Sequence, residues 1–223
     1  MTRRAWVSWS CGKDAAFALH TTASRDDVEV GGLLTTVDED AGEVATSRVP
    51  AALLHRQAAA LGLPVRVVEL PWPCPNDVYE RRTGEAVARI RREGGDDLVF
   101  GDLFLADVRA YRERSLEGTG LASRFPLWGR STAALAGQMM VAGVRAVVVC
   151  VDLDRAPAWV AGRRWDEKLL RELPDGVDPC GENGEFHTFV TDGPGFAHSV
   201  DVVVGEVGER DGFLYAPVRP ASD

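Results

Sequence analysis

The sequence predicts an α/β protein built on a Rossmann-like parallel sheet, and three observations carry that prediction. Short β-rich apolar runs alternate with stretches of helical period from residue 5 to residue 101. The first such run, Ala5–Trp9, leads straight into a glycine-containing turn and a helix start, as a ligand-binding strand–turn–helix unit does. Near the C-terminus an Asp211-Gly212 pair between two valine- and aromatic-rich runs breaks the alternation, which points to a smaller α/β subdomain after the first.

Taken in order, Ala5–Trp9 is the first strand. Asp14–Thr22 follows as a helix, with Ala15, Ala18 and Leu19 on one face. "VEVGGLLTTV", Val28–Val37, is the second strand. Pro50 suits a first helical turn, Leu53, Leu54, Gln57, Ala58 and Leu61 make one face, and Gly62 closes that helix. Val65–Leu70 is the third strand, and "PWPCP" at 71–75 cannot continue it because its prolines lack donors. Asp77 with Glu80 resembles a capping box for a long helix reaching Glu93. Asp97–Gly101 is the fourth strand. Beyond it come a helix over Leu105–Glu117, "RFPLWG" at 124–129, and a helix from Ser131 through Ala142. A buried strand over Arg145–Val151 and a short helix over Asp166–Leu173 follow, then a hairpin of Val200–Val207 and Phe213–Val218 around Asp211-Gly212. The expected organisation is a nucleotide-binding domain at 1–126 and a C-terminal α/β subdomain at 127–223.

Composition narrows the function. At 223 residues, 45% hydrophobic and 26% charged, the chain can bury a sizeable core. No apolar run is long enough for a membrane span, and Arg3 and Arg4 precede no signal-peptide core. Cys11, Cys74, Cys150 and Cys180 are far apart and form no CxxC, so they read as reduced thiols in a cytoplasmic protein. A net charge of −9 disfavours a nucleic-acid partner. Arg81, Arg82, Arg89, Arg91 and Arg92 form a local basic run, read as a solvated helix face. Of 25 basic residues only Lys13 and Lys168 are lysines, and the first sits in the turn after the first strand, where a compact ammonium has a use that a guanidinium has not.

In a parallel sheet, ligands bind at the carboxyl ends of the strands. Three polar turns fall there: Ser10–Ala15, Thr35–Asp40 and Gly101–Asp102. The turn "SCGKDA" offers backbone N–H groups and a helix dipole to an anion, so it suits phosphate. It is not a Walker A loop, because Val7 stands where the first glycine belongs and Asp14 where a Ser or Thr belongs. A second polar segment, "DPCGENGEFHTFV" at Asp178–Val190, is a turn running into a strand. Strand alternation would put Glu185 and His187 on one face, and carboxylates beside an imidazole suit acid–base work or an amine site. Zinc is disfavoured, since Cys180 and His187 are the only strong ligands there.

The short "SxGKDx" turn resembles the pyrophosphate loop of the N-type ATP pyrophosphatases, usually SGGxDS. With "LLTTVDED", "HRQAAALGLPV", "VFGDL…YRER", "FPLWG" and "VDPCGENGEFHTFV" in the same order, nearly the whole chain resembles the diphthine–ammonia ligase family, a diphthamide-synthase-like ATP-binding family. The resemblance implies a HUP-type nucleotide-binding domain of strand order 3-2-1-4-5 and a smaller domain carrying the GENGEFHT segment. It implies an ATP-dependent ligase that adenylates a carboxylate, diphthine or another acceptor, and releases pyrophosphate; ammonia or an amine then displaces AMP.

The residues follow the same resemblance. Ser10, Cys11, Gly12, Lys13 and Asp14 would hold the ATP phosphates, with Asp14 also a ligand for Mg²⁺. Thr35, Thr36, Gly101 and Asp102 would line the nucleotide crevice. Glu182, Asn183, Glu185, His187 and Thr188 would form the acceptor and amine side, with Lys13, Glu182, Glu185 and His187 catalytic. Glu185 is expected to orient or deprotonate ammonium. The partners implied are ATP, ammonia or an amine, and a carboxylate on a protein or small molecule; a homodimer is compatible with this. Two positions depart from the family loop, Cys11 for Gly or Ser and Ala15 for the final Ser. A helix N-terminus at Cys11 would lower its thiol pKa. Two competing expectations are a non-catalytic adenine-nucleotide sensor and a tRNA sulfur-transfer enzyme that uses one of the cysteines.

Overall fold

The structure is a computed structural model that describes residues 2–221. Its strands and helices run β1 Arg3–Ser8, α1 Lys13–Ala23, β2 Val28–Asp38, β3 Glu43–Val44, α2 Ala51–Ala60, β4 Val65–Leu70, α3 Asn76–Arg92, β5 Asp97–Val99, α4 Ala106–Leu116 and β6 Ala122–Arg124. There follow α5 Thr132–Val141, β7 Arg145–Asp152, a 3₁₀ turn at Ala158–Val160, β8 Arg164–Trp165, α6 Glu167–Glu172, β9 Phe186–Asp192, β10 Val202–Val204, β11 Gly208–Arg210, β12 Phe213–Tyr215 and β13 Val218–Pro220.

The first sheet is parallel apart from β3. Strand β1 lies between β2 and β5, β4 flanks β2, and β6 flanks β5. Counting the five parallel strands in chain order, the sheet reads 3-2-1-4-5, so the α/β class and the order that the resemblance implied are both present. Strand β2 outruns β1, whose last pair is Ser8 with Leu34, and its final residues Val37 and Asp38 take the short antiparallel β3 in the space left.

Alternation along β1 explains why both faces need cover. Ala5 and Val7 pack with α1 and α2 residues such as Phe17, Leu53 and Leu54, whereas Trp6 packs on the opposite face with Val87 and Ile90 of α3 and Leu116 of α4. At the amino ends of β1 and β5, buried Asp97 accepts from Arg3 at 2.6 Å, and from Arg124, the last residue of β6, at 2.8 Å. This ties three strands at the end away from the ligand crevice.

The second sheet is centred on β7, with β9 antiparallel on one side and β8 and β12 on the other. Leu135, Ala136 and Met139 of α5 pack with Val148 and Val151 of β7 in the same cluster as α1 and β1, so one apolar core runs through both sheets. Strand β9 also touches the first half directly, since Val190 N–H donates to the Cys11 carbonyl at 2.9 Å.

Several sequence expectations change. The Asp211-Gly212 turn forms, with φ of 54° and 83°, but it joins only β11 to β12. The expected arm Val200–Val207 splits, because β10 pairs with β13 instead, and Gly205 N–H is taken by the Pro217 carbonyl between the two pairings. The Asp77/Glu80 capping box does not form. Helix α3 starts at Asn76 behind Pro75, whose carbonyl accepts from Tyr79, and no side chain caps it. Strands β3, β6 and β8 are too short for a period to show. The arginines of α3 do make a solvated face, with Arg82 paired to Glu39 and Arg89 to Glu93. Among the described residues no helix is long and apolar enough to cross a membrane.

Candidate active site

Between β1 and α1 the chain turns through Ser10, Cys11 and Gly12. Cys11 takes the left-handed conformation, φ 65°, which favours glycine, and its side chain is fully buried. Its carbonyl accepts from Val190 N–H and from Gln57 Nε2 at 3.2 Å, so the strained residue is held from two sides. Gly12 is the N-cap of α1 without a side-chain cap. A Cβ there would stand 3.3 Å from both Ser10 Oγ and the Thr188 carbonyl, so the turn and β9 come together at Gly12. Gly101 serves a similar purpose behind the loop. Its Cβ would lie 2.9 Å from the Asp14 carbonyl carbon, which lets the end of β5 pass against the first turn of α1.

Two cavities meet at this loop. The larger, about 570 Å³, opens at the carboxyl ends of β1, β2 and β4 and is lined by Ser10, Thr35, Thr36, Trp72, Tyr79 and Arg112 among others. The smaller, about 180 Å³, is lined by Ser10, Gly12, Lys13, Asp14 and Asp102 on one side and by Glu182, His187 and Thr188 on the other. Ser10 and Thr46 border both. The large cavity is mainly apolar and of nucleoside size, and the small one is polar and faces a helix N-terminus. Thr35 is buried with its hydroxyl unpartnered in the large cavity.

Lys13 is 1% exposed, and its ammonium does not stand free in the small cavity. It donates to Asp14 Oδ2 at 2.8 Å and to the Cys180 carbonyl, and it lies over the rings of Trp165 and Phe186. Burial opposes its charge, but Asp14, and more weakly Glu182, outweigh that and hold its pKa above the ordinary value.

Glu182 accepts from Leu103 N–H at 2.6 Å and faces the small cavity. Removal from water, with the Asp14 and Asp102 carboxylates nearby, pushes its carboxyl up to about 7. Asp102 is raised too, first by burial and then by Asp14, against the pull of Arg112. His187 stays open to water at the mouth of the cavity. The protein around it, and then the Lys13 charge, lower its pKa, a modest bias toward neutral imidazole because the ring is exposed.

Glu185 does not share that face with His187. Strand β9 begins only at Phe186, and the buried Glu185 accepts from Asp178 N–H and Asn183 Nδ2, both at 3.0 Å, within its own loop. Asn183 is used in the same bracing, and its carbonyl accepts from Arg155. Neither lines the small cavity. Thr188 does, and its hydroxyl accepts from Lys13 N–H at 3.2 Å.

The thiol of Cys11 is not activated. Complete burial in an apolar surround raises its pKa, which outweighs the helix N-terminus expected to lower it. Burial likewise pushes Cys150 up to about 11 and Cys180 up to about 12. None of the three offers the accessible thiolate that sulfur transfer requires. Asp14 Oδ1 and Asp102 Oδ2 are buried without hydrogen-bond partners, Asp102 Oδ2 lying 3.9 Å from Arg112 Nε, and such oxygen donors suit Mg²⁺. Among the described residues no three metal-ligating side chains converge.

Three residues beyond the motifs help build the site. Gln57, fully buried, accepts from Trp9 Nε1 and donates to the carbonyls of Cys11 and Val190, which stitches loop, helix and β9 together. A glutamine in the apolar stripe of a helix was the mark of it. Thr46 and Ser47 line the small cavity from the connection after β3. Only their polarity, in "ATSRV" before Pro50, sets them apart in the sequence.

A family model described as the diphthamide synthase C-terminal domain matches residues 131–214. The chain is similar to the diphthine–ammonia ligase of Bos taurus, 34% identical over 178 residues that cover 74% of this chain and 67% of that one. It is also similar to the diphthine–ammonia ligase of Danio rerio, 27% identical over 229 residues that cover 94% of this chain and 90% of the relative.

Proposed function

Because the chain belongs to the diphthine–ammonia ligase family, we propose that it is an ATP-dependent carbon–nitrogen ligase that adenylates a carboxylate and passes the acyl group to ammonia or an amine. The observation that carries this reading is the junction of the two cavities. A nucleoside-sized apolar cleft opens at Ser10 onto a polar chamber shared by the phosphate turn and the 180–188 segment.

ATP would lie with its nucleoside in the large cavity beside Thr35 and Thr36 and its phosphates against the turn. There the first-turn N–H groups of α1 beyond that of Lys13, which Thr188 takes, would stabilise charge as pyrophosphate leaves. Mg²⁺ would be held by Asp14 and Asp102 together with the phosphates, where it neutralises phosphate charge. The carboxylate, on diphthine or on another protein or small molecule, would reach the chamber near Thr188 and His187. Glu182, a carboxylate that faces the chamber, is suited to take a proton from ammonium as the amine forms. Glu185 and Asn183 shape the loop that presents Glu182. The division into an ATP-binding unit at 1–126 and an acceptor unit at 127–223, and a cytoplasmic setting consistent with four free cysteines, belong to the same reading.

The test is incubation with labelled ATP, Mg²⁺, ammonium and a panel of carboxylates that includes a diphthine-bearing protein. AMP and pyrophosphate that depend on one acceptor are expected. Tight nucleotide binding without AMP under every acceptor would replace the ligase with a nucleotide sensor.

A further inference from the structure

Lys13 is enclosed as a bound ammonium ion would be. Its Nζ touches one carboxylate, Asp14 Oδ2, and one carbonyl, that of Cys180. It lies 5.5 Å and 5.6 Å from the ring centroids of Trp165 and Phe186. Apart from Asp14, every one of these groups belongs to residues 165–186. The cage is itself braced, since Trp165 Nε1 donates to the Pro179 carbonyl at 2.9 Å, and Trp165 and Phe186 are each 2% exposed. The Lys13 backbone makes the same crossing through its N–H to Thr188 Oγ1.

A lysine serving as a phosphate ligand would direct its charge into the open chamber. This one shares it among the Asp14 carboxylate, two aromatic faces and a carbonyl, the surroundings that recognise a compact cation. A guanidinium is broader and planar and would not fit them, which accounts for a lysine in a chain whose basic residues are otherwise almost all arginine.

We propose that Lys13 is a positioning residue: its ammonium docks in a cation cage of the second half and sets the spacing between the phosphate turn and the 180–188 segment. Amide formation then depends on Lys13, while nucleotide affinity does not. Only the turnover part of this inference rests on the ligase reading.

The test uses Lys13→Met and Lys13→Ala in the full chain. ATP affinity, measured by calorimetry without Mg²⁺ because the proposed Mg²⁺ ligand Asp14 is paired with Lys13, should stay within about tenfold of wild type. Amide hydrogen exchange across 178–188 should accelerate by about tenfold or more, and kcat should fall by about a hundredfold at unchanged KM for ATP. In Lys13→Ala, ethylammonium should restore exchange protection, whereas the larger tetraethylammonium should not. Because that readout is exchange, it is not confounded by ammonium acting as a substrate. A fall in ATP affinity of about thirtyfold or more with unchanged protection would make Lys13 a phosphate ligand and overturn the proposal. Phe186→Leu removes a wall of the cage whose side chain makes no hydrogen bond, leaves the lysine and the Trp165 bond to Pro179, and carries the test if the Lys13 variants do not fold. It should loosen 178–188 without loss of ATP affinity, and unchanged protection there overturns the cage. A wild-type protein that forms no AMP defeats the ligase reading and leaves the exchange and affinity results standing.

Discussion

Glu182 shows how a residue acquires its chemistry from its neighbours. In the sequence it is one carboxylate of the GENGEFHT segment, equivalent on paper to Glu185 three positions on. In the fold, Glu182 faces Asp14 and Asp102 across a cavity, and Glu185 accepts two hydrogen bonds in its own loop through Oε1 while its buried Oε2 has no hydrogen-bond partner. The consequence for pH dependence has a definite sign. A carboxyl raised from 4.5 to about 7 binds its proton more tightly in the folded state. Its stabilising contribution is therefore complete below about pH 4.5 and lost as pH rises through about 7. Glu182→Gln keeps the acceptor for Leu103 N–H and removes the charge. Without nucleotide or Mg²⁺, its melting temperature should exceed that of wild type at about pH 8, and the gap should close near pH 4.5. An identical gap at both pH values would show that Glu182 ionises normally. With its Oε1 accepting two bonds, Glu185→Ala should lose stability on the order of 2 kcal/mol in urea denaturation.

At the scale of elements, the site depends on how closely two helix and strand ends approach. The first turn of α1 is pressed between the end of β5 at Gly101 and the start of β9 at Thr188. A methyl group at position 101 would meet backbone atoms of Asp14 and Ala15 at 2.9–3.0 Å, and backbone yields less readily than a side chain. Gly101→Ala should therefore destabilise by about 1–3 kcal/mol in urea unfolding and also weaken ATP binding, because the displaced turn is the one that holds phosphate. Helix α6 provides a contrast. Asp166 caps it through Leu169 N–H at 2.8 Å, away from both cavities. Asp166→Ala should cost about 1 kcal/mol in the same measurement with ATP affinity unchanged.

At the scale of the molecule, the two sheets share one core, and a buried glutamine binds the loop of the first to a strand of the second. The halves should unfold together, with far-UV circular dichroism and tryptophan fluorescence giving coincident urea transitions. Gln57→Ala removes hydrogen bonds to Trp9, Cys11 and Val190 at once. It should lower stability on the order of 3 kcal/mol, and the two probes should begin to separate. Coincident transitions at unchanged midpoint in that variant would mean that the apolar contacts alone join the halves.

The alternation of apolar runs with helical stretches was enough to predict the parallel sheet, whereas its strand order came only from the family resemblance that the ordered motifs carry. The sheet follows from local period and from the chirality of strand–helix–strand units, which a single chain displays along its length. The pairings of β10 with β13 and β11 with β12 were not available in that way, because strands of three residues carry no period and their partners are chosen by what already packs nearby. Nor were the inert thiol of Cys11, the near-neutral carboxyl of Glu182 or the caged ammonium of Lys13. Each depends on burial and on charges brought close from distant positions, and solvation and Coulomb energy are set by distance in space rather than along the chain.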